Sequence, residues 1–120
     1  QFQWLNEPRV TGAQKQILGL GRIKPGKGHT RHNHEDSEEF IYFLEGKANQ
    51  TIENEDGVQE KELGPGEMVY IPQGAYHSTI NVGDGDLVFL CCYLNAGSEL
   101  AIAKDAIEIL PPKNNWKKEE

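Results

Sequence analysis

Nothing in these 120 residues approaches the length of a membrane span, because no apolar run comes near the roughly 18–20 residues a transmembrane helix needs. The first residues also lack the basic-then-apolar order of a secretory signal. Positive charge is in short supply: twelve Lys and Arg stand against nineteen Asp and Glu, a formal net charge of -7. That balance disfavours nucleic acid and anionic membrane as partners and makes the cytoplasm the expected location. Cysteine is scarcer still, with Cys91 and Cys92 alone. Adjacent α-carbons lie too close for an unstrained disulfide, so two free thiols in a reducing compartment are expected. Length is limiting too. A chain of this size with 37% hydrophobic residues suits one soluble domain with a modest core, and no segment is left over for a DNA-reading helix-turn-helix.

What the chain does have is a cluster of histidines beside a strand-like segment. In the stretch from Gly26 to Gly46, GKGHTRHNHEDSEEFIYFLEG, His32 and His34 are two residues apart. In extended backbone such residues share a face, with Asn33 on the other. Two imidazoles on one wall need partners, and the candidates are Glu39, five residues on, and His77, far off within PQGAYHSTIN.

The spacing of Gly26, His32, His34, Glu39 and Gly46 resembles the first motif of the cupins. A second stretch, with Gly66, Pro72, Gly74, His77 and Asn81, resembles the second cupin motif without a departure. The resemblance implies an all-β fold, a double-stranded β-helix or jelly-roll barrel. It also implies one divalent transition metal held by His32, His34, Glu39 and His77. Three imidazoles and a carboxylate suit Fe, Mn, Ni, Co, Cu or Zn and suit the oxygen-seeking Ca(II) poorly. A six-coordinate ion so held keeps two positions for water, oxygen or a chelating substrate, which is the mark of a catalytic site. The family hosts dioxygenases, decarboxylases, isomerases, epimerases, lyases, cyclases and non-catalytic binders. The expected function is therefore a metal-dependent enzyme acting on a small hydroxycarbonyl, sugar-derived or carboxylate compound, by isomerase or lyase proton chemistry or as a dioxygenase. The alternative is a binding module without turnover, in which the metal anchors a small molecule or sugar.

Periodicity supplies the rest. Residues 1–14 read as an N-terminal arm or edge strand, in which Pro8 argues against a helix. Residues 15–97 read as the barrel, opening with a strand in KQILGLGRIK, and His29 is placed in the loop before the ligand pair. If Glu39 faces the metal, Ile41 and Phe43 face it too, while Phe40, Tyr42 and Leu44 form a second apolar face that calls for cover by a second sheet or another subunit, and on that ground a homodimer is expected. The segments ANQTIE and VQEKEL flank an Asp-Gly turn signal as a hairpin, with Gln50 the candidate for the pocket over Thr51. Alternation puts Thr79 and Asn81 on the side of His77, Thr79 as a pocket residue and Asn81 in a structural role. LVFLCCYLN reads as a strand buried on both faces. Either Cys91, with Phe89 and Tyr93, or Cys92, with Leu90 and Leu94, lines the barrel. The candidate substrate pocket is thus Ile41, Phe43, Gln50, Thr79 and Cys91, and the candidate catalytic groups are Cys91 and His29. Residues 98–120 read as a short helix from Ser98 through Ala106 and a tail, anchored by Trp116, that packs on the barrel.

Overall fold

The computed structural model describes residues 1–94, and the backbone of a short strand at 108–109. The elements are β1 (Phe2–Asn6), α1 (Pro8–Thr11), β2 (Ile17–Ile23), β3 (Gly28–His32), β4 (Glu39–Glu45) and β5 (Ala48–Asn54), then β6 (Gly57–Leu63), β7 (Met68–Ile71), β8 (His77–Asn81), β9 (Leu87–Tyr93) and β10 (Glu108–Ile109). They form a six-stranded sheet in the order β10-β1-β2-β9-β4-β7 and a four-stranded sheet in the order β3-β8-β5-β6. Apart from the parallel β1–β10 pair, every pairing is antiparallel. This is the double-sheet barrel that the motif resemblance implies. The helix and tail expected over 98–120 lie outside the described residues, save that β10 adds to the barrel's edge strand β1.

The two inner faces differ in chemistry. The six-stranded sheet contributes Phe2, Trp4, Ile17, Ile41, Phe43, Phe89, Cys91 and Tyr93 to the buried cluster. The four-stranded sheet buries Gln50, His77, Thr79 and Asn81. The larger sheet's wall is therefore mainly apolar, Glu39 excepted, while the smaller sheet adds Ala48 and Leu63 to a mainly polar one. Polar groups are buried only where they find partners or have a task, and Asn81 has partners. Its amide donates to the carbonyls of Ile23 and Gly85, and its side-chain oxygen accepts from the Gly83 amide. That matches the structural role expected of it.

Glycines on β2 let the aromatic residues lie flat against the sheet. A methyl at Gly19 would come within 2.7 Å of the Trp4 ring, and one at Gly21 would fall on the ring of Phe89. The β5–β6 hairpin closes through Glu55 and Asp56, with Asn54 opposite Gly57, whose φ of 116° is one a side chain rarely adopts.

Three expectations are corrected. Pro8 does not exclude a helix. It sits at the first helical position of α1, where its missing N–H and fixed φ cost nothing. The buried Glu7 carboxylate caps that turn by accepting from the amides of Arg9 and Val10, and Gly12, at φ 81°, ends it. His29 is not in a loop but in β3, paired with Thr79 and stacked on Phe2. Finally, β9 is not fully buried on both faces: on its outward side Val88 is buried, but Leu90 and Cys92 are only half-buried.

Candidate metal centre

The two histidine-bearing segments meet because their strands pair. β3 runs antiparallel to β8 with His32 opposite His77, and His34, two residues past the end of β3, has its ring centroid 5.0 Å from that of His32. The following loops are then tied together. The Gly74 amide donates to the His34 carbonyl, Asn33 donates to the Gly74 carbonyl, and Gln73 donates to the Glu35 carbonyl. Gly74, at φ 80°, makes the turn that returns the backbone toward His77. From the opposite sheet, Glu39 opens β4 directly across from Tyr93 of β9.

The result is a convergence of four side chains. One ring nitrogen from each of His32, His34 and His77 lies within 4.8 Å of the others. Glu39 Oε1 is 3.5 Å from His34 Nε2 and 3.2 Å from His77 Nε2. The buried Nε2 of His34, Nε2 of His77 and Oε1 of Glu39 have no hydrogen-bond partner. For His77 the reason is visible. Its Nδ1–H donates to the Ala75 carbonyl at 3.0 Å, so in the neutral ring Nε2 carries a lone pair aimed at a carboxylate oxygen. His32 is fixed in the same way, Nδ1–H donating to the Thr30 carbonyl at 2.7 Å and Nε2 left free. Lone pairs facing one another in a buried site are costly unless a cation lies between them. Locking one ring nitrogen on a carbonyl to present the other is how metal-binding imidazoles are held. The residues present fit a divalent transition metal.

Charge runs the same way. Burial works to raise the Glu39 carboxyl, but His34, His77 and Tyr93 together outweigh it and hold the group ionised, down to about 2. Burial, with the neighbouring His32, pushes His29 down to about 4 against the pull of Glu39. Burial likewise lowers His32. The centre therefore presents Glu39 as a carboxylate, the form in which it binds metal.

All five expected pocket residues turn inward. Ile41 and Cys91 form the layer next to Glu39 and Tyr93, with Phe43 against Phe89 one layer further in. On the polar wall, Gln50, Thr79 and His29 are register neighbours one step from His77, and Thr79 donates to Gln50 Oε1 at 2.6 Å. Cys91 is the inward thiol and Cys92 faces out. Burial raises Cys91 so that it stays protonated, donating to the Gly19 carbonyl. Two contacts escaped the sequence reading, Tyr93 beside Glu39 and the stacking of Phe2 on His29. Parity along β9 puts Tyr93 on the face of Cys91, but only the register of β9 against β4 sets it opposite Glu39.

Comparison with known proteins gives the same picture. The chain is 34% identical over 88 residues to the uncharacterised protein MJ1618 of Methanocaldococcus jannaschii, a match covering 73% of this chain and 67% of that one. It is 33% identical over 81 residues to a glucose-6-phosphate isomerase of Thermococcus kodakarensis, covering 66% of this chain but 42% of the isomerase. Its fold overlays on Bacillus subtilis oxalate decarboxylase, a structure described for its Mn(II) centres, with a TM-score of 0.64 at 28% identity, covering 68% of this chain and 22% of that one. The chain thus spans less than half of the isomerase and under a quarter of the decarboxylase. Among the described residues no helix is long and apolar enough to cross a membrane. The Cupin domain model matches residues 19–93, well over half of the chain and inclusive of all four converging side chains, and the protein belongs to the cupin family.

Proposed function

We propose that this cupin is a metal-dependent enzyme that moves a proton on a small compound with adjacent oxygens, a hydroxycarbonyl, sugar-derived or carboxylate substrate. What supports this reading is the convergence of three imidazoles and the Glu39 carboxylate beside a polar wall of Gln50 and Thr79. When bound, a divalent metal such as Mn(II) or Fe(II) supplies Lewis acidity, polarising a chelated carbonyl and stabilising negative charge on its oxygen.

The chain's own residues do the rest. Thr79 donates to Gln50 Oε1 and Gln50 Nε2 donates to the Thr51 carbonyl, so the pair is held in one arrangement with a second amide hydrogen and the remaining oxygen lone pairs left for a substrate hydroxyl. The described contacts of His29 are with the rings of Phe2, His32 and Phe89, which leave its nitrogens for a ligand. We assign His29 the proton-transfer role. Ile41, Phe43 and the buried Cys91 side chain close the opposite wall and exclude water. The isomerase and decarboxylase relatives are similar over this barrel, which supports small-molecule chemistry. Its two free cysteines favour a reducing compartment, the cytoplasm.

The test is exchange of solvent deuterium into a panel of hydroxycarbonyl and hydroxyacid compounds by metal-loaded protein, with oxygen uptake followed in parallel. Incorporation at a carbon beside the carbonyl is the expected result. His29→Gln should slow it by about 100-fold with metal content unchanged. Oxygen consumption without exchange would replace the proton chemistry by a dioxygenase. Tight ligand binding with neither would make the protein a binding module.

We also assign a second copy of the chain to the outer face of β4 and β7. Phe40, Tyr42, Leu44, Met68 and Tyr70 are all exposed there, and Phe40 pairs with Tyr70 and Tyr42 with Met68 in one contiguous patch. β7 is an edge strand without a charged residue, whereas β6, one of the two edge strands of the other sheet, carries Glu60, Lys61 and Glu62. Charge guards an open edge, and an unguarded apolar one is the kind that pairs. Light scattering on a sizing column should give a dimer mass for the wild type and a monomer mass for Tyr42→Glu. A wild-type monomer at tens of micromolar would remove the assignment.

A further inference from the structure

We infer that Tyr93 is the positioning residue that fixes the orientation of the Glu39 carboxylate and of the His34 ring in the metal centre. The inference rests on the metal-centre reading above and goes beyond its four ligands.

A carboxylate ligand on a flexible stem has two oxygens to offer and a torsion to settle. Glu39 Oε1 already faces His34 and His77, so something must keep the group from turning away. Strand register supplies it. Glu39 and Tyr93 are Cα partners across β4 and β9, which sets their side chains side by side on the inner face. Tyr93 is 2% exposed and ranks among the largest fully enclosed side chains. A phenol buried that deeply needs an acceptor. The ionised Glu39 carboxylate, set beside it by register, is the charged acceptor within its surroundings, with the Cys91 thiol as the other polar neighbour, and a hydrogen bond to a charged acceptor is the stronger kind. The Tyr93 ring meets the His34 ring edge-on, centroids 5.3 Å apart and planes at 84°. One side chain thus braces two ligands from different segments of the chain. Ile17, the Cα partner of Tyr93 on its other side, is wholly buried and holds the ring from behind. Partners of this kind orient ligands and tune affinity without touching the ion.

Tyr93→Phe tests this because it keeps the ring, the packing on His34 and the core volume while deleting only the hydroxyl. The measurements are Co(II) affinity, by competition with a chromophoric chelator, and the visible ligand-field spectrum of the Co(II)-loaded protein. Tyr93→Phe should weaken Co(II) binding by about 10-fold or more and change the spectrum. Tyr70→Phe, which removes a hydroxyl bonded to Glu38 on the outer face, should change neither. Because Tyr93 acts through Glu39, adding Tyr93→Phe to Glu39→Gln should cost less than a further twofold. A Tyr93→Phe protein with wild-type affinity and a superimposable spectrum would overturn the role of Tyr93 while leaving the metal centre standing. A full 10-fold loss persisting in the Glu39→Gln background would overturn the route through Glu39. Failure of the wild type to bind Co(II) at all would overturn both readings.

Discussion

Replacing His77 with alanine is expected to lower the metal content of the purified protein at least tenfold, from about one ion per chain, as read by elemental analysis. His77 sits at the middle of the centre: it pairs with His32 across β3 and β8, and its Nε2 is 3.2 Å from Glu39 Oε1. It is also almost wholly buried, so no water-borne ligand takes its place without opening the barrel. Losing the group that merely orients a ligand costs 10- to 100-fold in affinity, and losing the ligand itself costs more. A stability readout separates emptying of the site from loss of fold. Binding to the native state alone stabilises by about 2.7 kcal/mol at a hundredfold excess over Kd. The wild-type melting temperature should therefore rise with added metal, while that of His77→Ala stays flat. The apo form should tolerate the change, because the substitution removes one of two buried lone pairs that face each other without a proton between them. Unchanged metal stoichiometry in both His77→Ala and His32→Ala would remove the premise of the whole functional reading.

Part of this centre was open to sequence reasoning for a physical reason. Extended backbone alternates faces, so His32 with His34, and Glu39 with Ile41 and Phe43, could be assigned to common sides by counting alone. The motif resemblance then joined His77 to them across forty residues. Counting could not place His29, because a loop and a short strand rich in Gly, Thr and His look alike without the partner strand. The pairing with β8 decides it. Pro8 misled because its effect is positional: it breaks a helix from within and starts one from the first turn. The partner of Glu39 was hidden for the same reason as the place of His29. Parity gives a face, whereas register between strands distant in sequence gives a neighbour. The exposed outer face was legible as an apolar stripe of Phe40, Tyr42 and Leu44, yet nothing in the sequence says whether a second sheet or a second molecule covers it.

Register also makes a prediction about a residue that carries no side chain. Gly28 opens β3 opposite Ile80 of β8, four residues before His32. A methyl group there would fall inside contact distance of the Thr79 carbonyl oxygen and 2.7 Å from the Ile80 α-carbon. These are backbone atoms of a paired strand, so they cannot rotate aside as a side-chain tip would. β3 must instead move off β8, and it takes His29 and His32 with it. Overpacking of this kind costs about 1–3 kcal/mol, and at about 4–8 °C per kcal/mol for a domain near this size Gly28→Ala should melt about 10 °C lower. Gly64→Ala is the control, because its methyl would meet nothing closer than an ordinary contact of 3.7 Å with the Gly46 carbonyl oxygen. The effect should not stop at stability. Displacing His32 relative to His77 spoils the geometry of two ligands at once, so Gly28→Ala should also bind Co(II) at least tenfold more weakly at a temperature where it is fully folded. A variant that melts early yet binds Co(II) like the wild type would show that the close approach of β3 to β8 serves the barrel alone. A variant unchanged in both would mean that β3 does not lie where the register puts it.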